Sequence, residues 1–240
     1  LRGTHEAVAD LTDHLLALAD RAPQSPALLA PGRSTMTWAA LAARVRSLGA
    51  TLAELGIARG DVVAWATGDR VDTAAAMAIM PVACTLAPLG AASTRATCVD
   101  VLARMRPKAV VVPDDDAPIA RAARDLGLTR LAVDRAGRSD AGDFDLAVAA
   151  RTASLDRRDR VDPGWALIGT TSGSTGRPKL VPHGHRQILV CARETGARLA
   201  LGPGDVSGHI SPLHLAGGMR NALMQALLNG GAVNVLPEAD

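Results

Sequence analysis

Short apolar runs recur along this chain at intervals long enough to hold a helix, and that rhythm restricts the fold more than any other property of the sequence. The runs at 62–66, 86–87, 109–112, 131–133 and 166–168 are brief and apolar, as strands buried on both faces are. Amphipathic stretches alternate with them. Leu11, Leu15, Leu16, Leu18 and Ala19 recur at helical spacing before Pro23, and Trp38, Leu41, Val45, Leu48, Leu52 and Leu55 do so before Gly56. Crossover units of this kind predict an α/β fold, with a largely parallel sheet or sheets flanked by helices. Residues 134–163 are rich in Arg, Asp, Gly and Ser and read as a surface excursion within the domain, with a short helix near 146–150. Further on, 186–199 and the face formed by Met219, Ala222, Leu223, Ala226 and Leu227 predict helices, and 232–235 predicts a terminal strand.

Composition excludes several function classes. At 240 residues the chain can bury a sizeable core without disulfides, and its net charge of +2 offers no broad basic face. Trp38, Trp65, Trp165 and Phe144 are the only aromatic residues, too few and too scattered to stack nucleic-acid bases. The most apolar stretch, 73–89, is shorter than the about 20 residues of a membrane span and contains Pro81 and Pro88. Without a recognisable secretory signal, the reading is cytoplasmic. Cys84, Cys98 and Cys191 are odd in number, far apart and lack a CxxC pair, so they read as reduced thiols. His183, His185, His209 and His214 fall within 32 residues, but not at zinc-helix spacing, and no metal ligand set is read from the chain itself.

The chemistry concentrates in Gly169-Thr170-Thr171-Ser172-Gly173-Ser174-Thr175-Gly176-Arg177-Pro178-Lys179. This loop follows an apolar strand and precedes the short apolar run of Leu180 and Val181. Glycines let the backbone bend and approach a ligand, hydroxyls supply neutral donors, and Lys179 supplies a positive charge, which together suit phosphate oxygens. Walker A spacing is absent, because Leu180 follows the lysine where Ser or Thr would stand. Neither GxGxxG nor GxSxG occurs in it.

Thr171 to Lys179 resembles the phosphate-loop signature of the adenylate-forming superfamily, which comprises acyl-CoA synthetases, peptide-synthetase adenylation domains and luciferases. Other segments resemble that family in the same order. They are Met36-Thr37-Trp38-Ala39-Ala40-Leu41, Leu55-Gly56-Ile57-Ala58-Arg59-Gly60-Asp61-Val62-Val63, Ala87-Pro88-Leu89, Leu201-Gly202-Pro203-Gly204-Asp205-Val206 and Ser211-Pro212-Leu213-His214-Leu215-Ala216-Gly217-Gly218. The resemblance implies attack of a carboxylic acid on the α-phosphorus of ATP, release of pyrophosphate, and transfer of the acyl group from acyl-AMP to the thiol of CoA or of a carrier protein's phosphopantetheine. It further implies that Thr171, Ser172, Gly173, Ser174, Thr175, Gly176 and Lys179 hold the phosphates, with Mg2+ bridging the same oxygens. His214 is implied at the carboxylate or α-phosphate, and His214, Gly217, Gly218 and Met219 in the acyl pocket.

Leu180, Thr170 and Ala83 depart from the family pattern, in which glycine, a bulky residue and glycine respectively are common. None of the three removes a phosphate donor. The family's segments for adenine, ribose, the magnesium-binding glutamate and the lysine-bearing C-terminal lid are expected beyond Asp240. Residues 1–240 therefore read as an incomplete N-terminal domain of an AMP-forming ligase, lacking its lid. Alone, such a chain is expected to be inactive and to self-associate through a free edge of the strand at 232–235. Two other readings stay open: an amino-acid-activating adenylation domain of a peptide synthetase, weakened by the absence of an acidic residue at 207–234, and a noncatalytic nucleotide-binding module.

Overall fold

A computed structural model of the chain describes residues 10–90, 93–151, 160–171, 177–215 and 217–237, the side chains at 220–222 excepted. Helix α1 (Leu11–Arg21) starts where the Asp10 carboxylate accepts the Thr12 amide, and a short antiparallel pair follows, β1 (Pro26–Leu29) with β2 (Met36–Thr37). Thr37 then caps α2 (Trp38–Glu54) by accepting from the Ala40 amide.

The next stretch carries the predicted rhythm. Strand β3 (Val62–Trp65), helix α3 (Arg70–Ile79), β4 (Thr85–Pro88), α4 (Arg95–Met105), β5 (Ala109–Val112), α5 (Pro118–Asp125) and β6 (Thr129–Asp134) alternate. Strands β7 (Asp145–Ala150), β8 (Trp165–Thr171) and β9 (Lys179–Gly184) complete a seven-stranded sheet in the order β7-β6-β5-β3-β4-β8-β9. Its interior pairs are parallel, and its outer pairs β6–β7 and β8–β9 are antiparallel. Residues alternate between its faces. In β3, Val63 and Trp65 join the core that contains α2 and α3, while Val62 and Ala64 join the core that contains α4 and α5.

Helix α6 (His185–Leu199), β10 (Val206–His209), a π-helical segment (Gly217–Met224), α7 (Gln225–Leu228) and β11 (Ala232–Val235) follow. They return the chain to its start, because β10, β11, β1 and β2 form a second sheet in that order, with Leu28 in parallel register with Val233. Among the described residues no helix is long and apolar enough to cross a membrane.

Three expectations are corrected. Residues 146–150 form strand β7, not a helix: the alanines favour helix locally, but β6 offers an unpaired ladder, and Val133 pairs with Leu146 and Leu131 with Val148. The strand at 232–235 has no free edge, since β10 and β1 flank β11 on its two sides, so association through that edge is not expected. The helix predicted around Met219 begins as wide π turns, which keep Met219, Leu223 and Met224 all in the core.

Candidate functional site

The antiparallel hairpin of β8 and β9 sets the first half of the site. Strand β8 is pinned in the sheet by Leu167 opposite Leu86 of β4, and its last residue, Thr171, is the register partner of Lys179. Lys179 is exposed at this open end of the hairpin, and Ser172, Gly173, Ser174, Thr175 and Gly176 lie outside the described residues. Leu180, in place of the family's glycine, packs against the core that α4 and α5 share.

Where the loop rejoins β9, the surface of α4 holds it. Arg177 forms a forked ion pair with Asp100, with Nε 2.9 and 3.0 Å from the two carboxylate oxygens. Arg104 donates to the same carboxylate at 3.0 Å and to the Pro178 carbonyl at 2.8 Å. The Arg177 hydrogen bond, ahead of Arg104, holds the Asp100 carboxyl below the usual carboxylate range. Sequence reasoning missed this contact; Asp100 and Arg104 at helical i,i+4 spacing were the available signal.

The second half of the site comes from the other sheet. The connection between β10 and the π-helical segment carries His214, and its neighbour Leu215 makes a parallel bridge to Thr170, one residue before Thr171. His214 thus stands next to the strand that delivers the loop. Its imidazole lies over Gly90, where a Cβ would come within 3.1 Å of Nε2. Gly218 is required for a similar reason, because a Cβ there would collide with the Pro212 carbonyl. At Gly217 a Cβ would meet nothing within 4 Å. Met219 is 1% exposed, and its Cε would stand 3.2 Å from a Cβ at Gly169, so it packs beneath β8 as a core residue.

His214 also lines a cavity of about 1000 Å³ shared with Arg33, Thr67, Asp69, Leu89 and Leu236. The Arg33–Asp69 ion pair, at 2.7 Å, forms part of its wall. The structure therefore brings His214 to both the cavity and the loop end of the hairpin, while Met219 belongs to the core beneath them. His183 and His185 sit where β9 passes into α6, both buried, and burial lowers the His185 pKa.

Comparison with known proteins agrees with this architecture. Acyl-CoA synthetase ALT10 of Alternaria alternata is 29% identical over 230 residues, covering 83% of this chain and 40% of that protein. The sulfoacetate–CoA ligase of Cupriavidus necator is 28% identical over 219 residues, covering 90% and 42%. The chain thus spans about two fifths of the length of these curated relatives. Among solved structures, apo MatB from Rhodopseudomonas palustris superposes with a TM-score of 0.77 at 25% identity, over 96% of this chain and 45% of MatB. The sequence model of the AMP-binding enzyme family matches residues 16–240, and the chain belongs to that family.

Proposed function

We propose that this protein activates a carboxylic acid with ATP and passes the acyl group to a thiol. A carboxylate oxygen attacks the α-phosphorus, the bond to the β-phosphate oxygen breaks, and pyrophosphate leaves. A thiol of CoA, or of a carrier protein's phosphopantetheine, then attacks the acyl carbon and AMP departs. Relatives named as CoA ligases favour CoA as the acceptor. The observation that carries the reading is the pairing of Thr171 with Lys179 at the open end of a hairpin whose neighbour, Thr170, is bridged to the His214 segment.

The donor set suits a triphosphate. Lys179 and the hydroxyls of Thr171, Ser172, Ser174 and Thr175, with the amides of Gly173 and Gly176, would hold the β- and γ-phosphate oxygens. Mg2+, when bound with ATP, supplies charge neutralisation on those same oxygens. His214 would orient the carboxylate near the α-phosphate, with Gly217 and Gly218 keeping the backbone beside it slim. Positioning and charge stabilisation are what nucleotidyl transfer demands of a protein.

The test is acid-dependent pyrophosphate exchange by the whole protein with a panel of carboxylic acids. Lys179→Ala should lose a charge-assisted contact worth about 1.5–3 kcal/mol, a fall of roughly 10- to 150-fold, with little change in Tm. Exchange by Lys179→Ala at the parent rate would remove Lys179 from the phosphate site.

A further inference from the structure

We propose that Arg70 and His209, neither of which belongs to the phosphate loop or the His214 segment's own sequence signature, are positioning residues that hold His214 in place. The proposal rests on the reading that His214 serves the acid site. Arg70 opens α3, on the seven-stranded sheet, and reaches across to the other sheet. Its Nε donates to the Leu236 carbonyl at 3.0 Å, and its Nη2 donates to the Ser211 carbonyl at 3.0 Å. The same Nη2 lies 3.4 Å from Nδ1 of His209. His209, the last residue of β10, is fully buried, and its Nε2 lies 2.9 Å from the Gly218 carbonyl.

The chemistry of the partners sets the tautomer. A guanidinium only donates and a carbonyl only accepts, so Nδ1 is the acceptor and Nε2 carries the proton. The ring is therefore a neutral relay from Arg70 to Gly218. Burial, joined by the Arg70 charge and opposed by hydrogen bonds to the Gly218 and His209 carbonyls, lowers the His209 pKa and favours a neutral ring.

The two carbonyls held this way, Ser211 and Gly218, bracket His214 on both sides. Between them the Leu215 amide donates to the Pro212 carbonyl at 3.3 Å and the Met219 amide to the Leu215 carbonyl at 3.0 Å. Arg70 thus couples the position of His214 to α3; Arg70 itself and the preceding residues Thr67 to Asp69 line the same cavity as His214. Loosening the relay should let the His214 ring slip from Gly90, which disturbs the acid before it disturbs the triphosphate.

The experiment compares His209→Phe, Arg70→Met and His209→Gln with the parent in the whole protein. Glutamine keeps an N–H donor near the place of Nε2, so it should rescue what phenylalanine loses. Three readouts apply. Nitrogen NMR of the parent should show His209 as the neutral Nε2–H tautomer; the Nδ1–H tautomer would overturn the relay. Amide exchange at 211–219 should quicken on the order of tenfold in His209→Phe and Arg70→Met, and return toward the parent in His209→Gln. The KM for the acid should rise about tenfold while that for ATP stays within about twofold. Faster exchange with both KM values unchanged, or with both raised equally, would reduce the pair to ordinary packing and overturn the proposal. Absence of acid-dependent exchange in the parent would instead sink the functional reading, while NMR and amide exchange still decide whether the relay exists.

Discussion

The two sheets are built from the chain in opposite ways. The seven-stranded sheet takes β3 to β9 from one continuous stretch, each strand laid down within a helix's length of the last. The four-stranded sheet joins β1 and β2, near the start, to β10 and β11, near the end, with Leu28 opposite Val233. The first is mostly local; the second must close a loop of most of the chain before any contact rewards it. The proposed function falls on the seam, since the seven-stranded sheet carries the hairpin proposed to hold phosphate and the chain after β10 of the four-stranded sheet carries His214. Helix α3 is common to both, packing on β4 and also on β1 and β11.

The severest test of that division removes the ring at its centre. Trp65 is fully buried, donates its indole N–H to Thr73 at 2.9 Å and lies 5.2 Å from the Phe144 ring. It shares one core with Leu28 and Val233 of the other sheet. Trp65→Ala should therefore cost about 3–5 kcal/mol and shift a single denaturant transition. Two separated transitions in the parent protein would show that the sheets unfold independently.

A smaller effect tests the shared helix by pH. Asp72 on α3 is buried beside Asp69 and paired with Arg135, and burial, reinforced by Asp69, lifts its pKa from 3.8 to about 6. Because the folded value is the higher one, ionising Asp72 destabilises the fold as pH rises from about 4 through about 6, and the penalty is complete above that window. Asp72→Asn should gain stability over the parent at pH 8 relative to pH 5, by no more than about 3 kcal/mol. A difference between variant and parent that is flat from pH 5 to 8 would place the carboxyl's titration elsewhere.

Legibility in the sequence followed the same division. The run at 109–112 is β5 residue for residue, because a strand buried on both faces must be apolar throughout. Of the four-stranded sheet only β11 was legible, as the run at 232–235. Strand β10 reads Val-Ser-Gly-His, a poor strand by propensity, and exists because β11 supplies its partners from Val206 opposite Ala232 to His209 opposite Val235. The same gap hid Arg70 and His209, whose roles depend on residues far from them in the chain. By contrast, the glycines and hydroxyls at 171–176 stood out because the phosphate binding proposed for them needs those residue types in one continuous segment. His214 was legible by resemblance, but its approach to Gly90 was not, since that contact joins residues more than 120 positions apart.

Gly218 sharpens the comparison on the His214 side. It accepts no side chain without moving the Pro212 carbonyl, whereas Gly217 faces open space. Gly218→Ala should cost about 1–3 kcal/mol and raise the KM for the acid, while Gly217→Ala should leave stability within about 0.5 kcal/mol of the parent. On the proposed place of Gly217 in the acyl pocket, a bulkier Gly217→Leu should impair use of the acid more than of ATP. Equal stability losses in the two alanine variants would contradict the close approach at Gly218, and unchanged KM values for acid and ATP in Gly217→Leu would remove Gly217 from the site.

The smallest expected effect lies on the hairpin side, and it separates the two modes of holding a functional segment. The chain leaving the phosphate loop is fastened to α4 by Arg177 and Asp100, and the Arg177 side chain is 63% exposed. An exposed pair of this kind gains little in water and is screened over about 8 Å at physiological salt. Asp100→Asn should therefore raise the KM for ATP by less than about fivefold at low ionic strength, and by a vanishing amount at high salt. The acid's KM should not change, because the bonds that hold the His214 segment, from Arg70 and from Thr170, do not involve Asp100. The contact of half-buried Arg70 with the fully buried His209 ring should respond less to salt than the Arg177–Asp100 pair. Measuring the ATP KM of parent and Asp100→Asn across a salt series decides the matter: a defect that persists undiminished at high salt would mean that Asp100 holds the loop by shape and hydrogen bonding, as His209 holds Gly218, and the contrast between an exposed clamp on α4 and a contact with a buried histidine that spans the two sheets would fail.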